Sequence, residues 1–181
     1  MLTPPPPYRL RAMQLADLDQ VLAIDRLAFP TPAKAGLYTY ELTENPLAAY
    51  QVLLAGAPLV GYAGFWMLGD EAHVSTIATH PDWRGRGLGE LLLLNLLYLA
   101  GDRAATLATL EVRRGNHVAQ ALYAKLAFEI VGERPRYYRD TGDDALILTV
   151  ALSDAYYAHI LAQARAALYA RLAAGQRRRH L

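Results

Sequence analysis

The chain has 181 residues, 54% of them hydrophobic and 19% charged, with a formal net charge of +1. That length suits one domain with a sizeable core, and the near-neutral balance gives no global attraction to nucleic acid or to a membrane. The absence of cysteine excludes a disulfide framework, a thiolate metal site and a cysteine acyl-enzyme, so any acyl transfer is direct or uses another nucleophile.

Residues 1–7 carry the run Pro4-Pro5-Pro6-Pro7, which favours extended backbone, and lack the charged and apolar regions of a signal peptide. They read as a flexible leader, and a cytoplasmic location is expected. Residues 8–13 alternate polar and apolar side chains as an edge strand does. Asp17 is then placed to cap a helix running to Ala28, with Leu18, Val21, Leu22 and Leu27 as its buried stripe. Phe29-Pro30-Thr31-Pro32 ends that helix, and a second short one is expected over 34–44. Residues 50–55, 59–67 and 72–79 read as consecutive strands of an antiparallel meander, because Gly56-Ala57-Pro58 and Gly69-Asp70 supply turn chemistry.

The pattern then becomes helix, strand, helix, strand, strand: 87–101, 105–113, 116–127, 129–138 and 145–151. This order is α+β. The apolar run 91–100 is interrupted by Asn95 and is too short to span a bilayer. Ser153 or Asp154 caps a last helix to about Ala174, on which Tyr156, Ile160, Leu161, Ala164, Leu168 and Leu172 recur at helical spacing. The expected organisation is a leader (1–7), one domain (8–152), and a C-terminal helix with a basic tail (153–181). The helix packs on the domain or on a second copy, which makes monomer and homodimer both compatible.

Chemistry concentrates at Arg84-Gly85-Arg86-Gly87-Leu88-Gly89, which joins a strand to a helix. Its glycines let the backbone approach a ligand closely and leave N–H groups pointing outward at a helix start, where an anion is favoured. Two arginines suit a pyrophosphate, although the same spacing also serves a plain tight turn. No Lys-Ser or Lys-Thr follows, so this is not a nucleotide-triphosphate loop, and no downstream acid completes a dinucleotide fingerprint. Further on stands Leu110-Glu111-Val112-Arg113-x-x-Asn116-x-x-Ala119-x-x-Leu122-Tyr123-x-Lys125-x-x-Phe128. Together with Ile77-Ala78-Thr79-x-Pro81 and Arg136-Tyr137-Tyr138, these residues resemble the GNAT acetyltransferases, most closely the branch that acetylates protein N-termini, typified by the ribosomal protein S18 alanine acetylases.

That resemblance, over roughly 8–152, implies a GNAT fold with a mixed central sheet flanked by helices, and acetyl-CoA as cosubstrate with no metal. It implies that Arg84, Gly85, Arg86, Gly87, Leu88, Gly89 and Glu90 hold the pyrophosphate, that the strand segment Ile77, Ala78 and Thr79 pairs with the pantetheine arm, and that Asn116 reaches the cofactor. On its own, Asn116 also reads as a helix cap. Arg113 and Arg114, at a strand end, either approach the 3′-phosphate or remain solvated. His73, His80 and His117 are not spaced as a metal site and receive no role.

An attacking amine needs a base, and Glu111, set in an apolar run, is partly desolvated if it faces inward; a solvent-facing or arginine-paired glutamate is the alternative. In the family this position is the general base, and Tyr123 is the donor to the leaving thiolate, though an aromatic at that helical spacing also fits a simple core. Phe29, Pro30, Tyr137 and Tyr138 match positions that enclose the acceptor peptide; on a regular strand only one of the two tyrosines faces a given groove. Two departures stand out: Ala127 replaces the usual glycine and Arg136 the usual asparagine. The implied function is acetylation of a protein N-terminal amino group, with S18 as candidate and the Arg177-Arg178-Arg179 tail as a candidate ribosome contact. Alternatives are a small-molecule amine acetyltransferase and a non-catalytic acyl-CoA-binding module.

Overall fold

The computed structural model describes residues 1–177. Strand β1 (Tyr8–Ala12) leads through a single 3₁₀ turn to helices α1 (Leu18–Ala28) and α2 (Ala35–Thr43), then to strands β2 (Ala48–Ala55), β3 (Leu59–Leu68) and β4 (Glu71–Thr79). Helix α3 (Leu88–Asp102), strand β5 (Leu107–Arg113), helix α4 (His117–Lys125), strands β6 (Glu129–Tyr138) and β7 (Asp143–Ala151), and helix α5 (Ala155–Arg177) complete the chain. One seven-stranded sheet has the order β1-β2-β3-β4-β5-β7-β6. The expected mixed sheet and meander are found, with β4 and β5 the parallel pair.

That pair opens the site. Its register runs from Glu71↔Leu107 only to Val74↔Leu110, and beyond it the strands have no partner across the gap. A bulge in the β3/β4 ladder, between Gly64↔Thr76 and Phe65↔Val74, inserts Ser75 and bends β4 away. Gly64 is required there, because a Cβ would lie 2.4 Å from the Tyr50 ring. The splay leaves an unladdered edge on β4 facing an unladdered end of β5.

One face of the sheet is covered by α1 and α2 and the other by α3 and α5, giving two apolar clusters. On α1 the buried residues are Val21, Leu22, Ile24 and Asp25. Leu27, expected in that stripe, is 56% exposed, because the inward face passes through 21, 24 and 25 and puts 27 on the far side. Asp17 does not cap α1 through its side chain; its carboxylate accepts from Arg11 at 2.6 and 2.7 Å and from the Gln14 amide at 2.8 Å.

Residues 91–97 are buried on all sides of α3, as a helix apolar around its circumference must be. Its Asn95 is fully buried and satisfied: the amide donates to Gln51 Oε1, and its oxygen accepts the Leu2 N–H at 2.6 Å. The leader therefore lies against α3 with Pro4 buried instead of fraying, since a buried amide oxygen needs a donor. On α5 the buried stripe is Tyr157, Leu161, Leu168 and Leu172. Tyr156 is exposed, and Tyr157 takes its place, donating its hydroxyl to the Leu126 carbonyl at 3.0 Å. Of the basic tail read as a candidate ribosome contact, Arg178 and Arg179 lie outside the described residues.

Candidate active site

The divergence of β4 and β5 produces a cleft of about 880 Å³. Ser75, Thr76 and Ile77 form one wall, Glu111 another, and Asn116 and Tyr123 reach it from α4. Phe29 and Pro30, at the end of α1, and Tyr137 and Tyr138, at the end of β6, line the same space. Ala78 is buried in the core and does not line it.

Both tyrosines of the pair face the cleft because β6 is not regular there. Its register with β7 breaks between Arg134 and Tyr138, and Arg136 has φ 52°. This left-handed conformation is one that asparagine adopts more readily than arginine. The Arg136 N–H is held by Asp144 at 2.8 Å. Tyr137 and Tyr138 pack edge to face at 5.2 Å, and the Arg113 guanidinium lies 3.9 Å over the Tyr138 ring.

The Glu111 side chain is only 9% exposed, and its two oxygens meet different neighbours: the Arg134 guanidinium at 3.2 Å and His73 Nε2 at 3.3 Å. The sequence had assigned His73 no role, since only the parallel pairing of β4 with β5 brings it beside Glu111. His73 stacks on Trp66 at 5.8 Å, and its Nδ1 lies 3.1 Å from the Thr109 hydroxyl. That hydroxyl gives its single hydrogen to Glu71, so toward His73 it accepts. Nδ1 therefore donates to Thr109, and Nε2 is the nitrogen that faces Glu111.

Tyr123 is 9% exposed. Burial, with a smaller contribution from Tyr138, pushes its phenol up to about 12, because a buried phenolate is poorly solvated. Asn116 caps α4 in the way its position suggests, its Oδ1 accepting the Ala119 N–H at 3.1 Å. The end of the cleft lined by Phe29 and Pro30 is anchored by Asp25, 2% exposed, which accepts from the Tyr38 and Tyr62 hydroxyls and from the Ala33 N–H just beyond them. Nothing in the local sequence marked that carboxylate as an anchor.

The glycine run borders a second cleft, of about 770 Å³, where Gly85, Arg86, Gly87 and Glu90 face Lys125 of α4 and Arg171 of α5. Gly87 has φ +80° and immediately precedes α3. Arg86 is braced, donating to the Asp82 carbonyl at 2.9 Å with its guanidinium 4.4 Å over Trp83. Leu88 is buried in the core, and Arg84 is exposed. Arg113 and Arg114 are committed elsewhere, Arg113 to Asp140 and Asp143 at 2.7 and 3.0 Å, and Arg114 to Glu133. Among the described residues, no group of three or more His, Asp or Glu is placed to hold a metal ion, and no helix is long and apolar enough to cross a membrane.

Known proteins match this chain in sequence and in fold. Residues 18–128 match the Acetyltransferase (GNAT) family. The chain belongs to that family. It is an N-acetyltransferase, of a family that uses acetyl-CoA as cosubstrate. It is 39% identical over 145 residues to a Bacillus subtilis protein provisionally named a [ribosomal protein bS18]-alanine N-acetyltransferase, covering 80% of this chain and 96% of that one. It is 37% identical over 147 residues to the Mycobacterium tuberculosis N-alpha-acetyltransferase RimI, covering 77% and 89%. The crystal structure of the Escherichia coli ribosomal-protein-S18-alanine N-acetyltransferase superposes with a TM-score of 0.75 at 28% identity, covering 82% of this chain and 96% of that one.

Proposed function

We propose that this acetyltransferase moves the acetyl group of acetyl-CoA directly onto the α-amino group of a protein N-terminus, with ribosomal protein S18 as the first acceptor to test. The observation that carries this reading is one cleft in which a largely enclosed carboxylate, Glu111, and a buried phenol, Tyr123, face an acceptor end built from Phe29, Pro30, Tyr137 and Tyr138. Relatives with high coverage named for the same acceptor chemistry support it.

An α-ammonium has no lone pair, so the reaction begins with a proton passing from the amine to Glu111, beside which His73 Nε2 stands. The neutral nitrogen attacks the thioester carbonyl, a C–N bond forms, the C–S bond breaks with coenzyme A leaving as thiolate, and the second proton of the acylated nitrogen passes to solvent. Tyr123 then acts as a hydrogen-bond donor to sulfur. Complete transfer from a phenol near 12 to a thiolate of ordinary basicity would cost about 5 kcal/mol, so the phenol keeps its proton and solvent protonates the thiolate. The β5-facing edge of β4, including Ile77 and Thr79, is free to pair with the pantetheine amides, and Gly85 to Glu90 offer amides and a helix start to the pyrophosphate.

The raised Tyr123 phenol fixes a pH dependence. The donor is the protonated form, lost only as pH rises through about 12, whereas an unshifted tyrosine would lose it near 10. The rate is therefore expected to rise as the acceptor amine deprotonates and then to hold level to pH 10.5. A descending limb centred near pH 10 in kcat would show that the Tyr123 phenol is not raised in the working enzyme.

Gly87→Val is expected to lower acetyl-CoA affinity and the melting temperature together. A Cβ at residue 87 meets Leu168 Cδ1 at 2.8 Å, and φ +80° strains any β-branched side chain. Calorimetric titration showing wild-type affinity would exclude the loop as the phosphate site. The acceptor is decided by supplying radiolabelled acetyl-CoA with N-terminal peptides, the S18 terminus among them, and small amines. Transfer to peptides over amines is expected. Transfer to amines alone would establish the small-molecule reading, and binding without transfer to any acceptor the non-catalytic one.

A further inference from the structure

Helix α5 lies beyond the family match at 18–128, yet its far end reaches the phosphate cleft. There the carboxylate of Glu90, in the first turn of α3 and 8% exposed at its side chain, is held from two other helices. Arg171 of α5 donates at 2.8 Å and Lys125 of α4 at 3.4 Å. A carboxylate so nearly buried needs such partners. The cations are not consumed by it.

Arg171 gives one of its five N–H donors to Glu90 and remains 54% exposed, and Lys125 remains 61% exposed. Counting Arg86, the ionisable lining is three cations against one carboxylate. Arg113 and Arg114, at the end of β5, already have carboxylate partners. An excess of positive charge bordering a glycine loop at a helix start is a site for a polyanion.

We propose that α5 completes the cofactor site of this chain, Arg171 with Lys125 beside it binding the 3′-phosphate at the nucleotide end of coenzyme A. This rests on the acetyl-CoA reading above. Going outward from Glu111, the pantetheine arm lies along β4, the pyrophosphate meets the loop amides and Arg86, and the ribose phosphate is the next anion. Glu90 is a positioning residue: it fixes one edge of the Arg171 guanidinium and leaves the rest of the planar fork toward the cleft, the geometry that arginine offers to phosphate.

The test compares coenzyme A with 3′-dephospho-coenzyme A by calorimetric titration of the full chain. The wild type is expected to bind coenzyme A about tenfold more tightly. Arg171→Gln removes most of that difference by weakening coenzyme A while leaving the dephospho form unchanged, and Lys125→Gln, on an independent helix, reduces it in the same sense. Arg171→Lys restores part. Melting temperatures identify any variant whose fold has failed, in which case Lys125→Gln decides. A wild type that binds both forms equally, or variants that weaken both by the same factor, overturns the assignment of Arg171 and leaves the transferase reading intact. A wild type that binds neither overturns the acetyl-CoA reading itself.

Discussion

Replacing Glu111 with glutamine is expected to lower turnover by about 10²- to 10⁴-fold near neutral pH while leaving acetyl-CoA affinity unchanged, the range associated with losing a general base. Glutamine keeps the shape and stays beside Arg134 and His73, which now stand 3.2 and 3.3 Å from the carboxylate, but it cannot take up a proton. The loss should therefore fall on kcat and shrink at high pH, where more of the acceptor amine arrives neutral. A simple unfolding or misplacement would lower activity equally at every pH. Steady-state kinetics from pH 6.5 to 10, with calorimetric affinity for acetyl-CoA, separates these outcomes. Wild-type turnover in the variant would mean that the amine loses its proton to water or to His73 without Glu111.

What was legible in the chain followed from local physics. The glycine loop, the strand carrying Glu111 and the cap at Asn116 are determined by residues a few positions apart, and each lies where its spacing suggested. Both departures from the family pattern also make local sense: Ala127 and Arg136 have φ of 60° and 52°, the left-handed region that the usual glycine or asparagine enters more easily. The site's supporting residues are of another kind. His73 meets Glu111 through strand pairing across 38 positions of sequence, and Asp25 meets Tyr62 by burial across the sheet. Neither has a sequence-local signature, because each is selected by three-dimensional satisfaction of a buried polar group. The leader and Asn95 teach the same lesson. A polar residue inside the leucine run reads as an interruption, yet it is the acceptor that pins the first residues of the chain.

Ending the chain at residue 153 is expected to remove the folded monomer. The reason lies in α3: a helix buried around its whole circumference needs cover on both sides, the sheet supplies one, and α5 supplies much of the other. Tyr157, Leu161, Leu168 and Leu172 are each less than 10% exposed. At about 1.5–3 kcal/mol per buried side chain, four of them correspond to about 6–12 kcal/mol as an upper figure, comparable to the whole stability of an ordinary domain of about 5–15 kcal/mol. Truncation also bares the α3 leucines that these side chains cover, so the shortened chain should either melt far below the full protein or hide that face against a second copy. Circular dichroism melting combined with size-exclusion chromatography reads both results. A truncated monomer melting within a few degrees of the full chain would show that α3 is stable with an apolar outer face. The helix would then owe its place to the cofactor end, through Arg171 and Glu90, and not to the core.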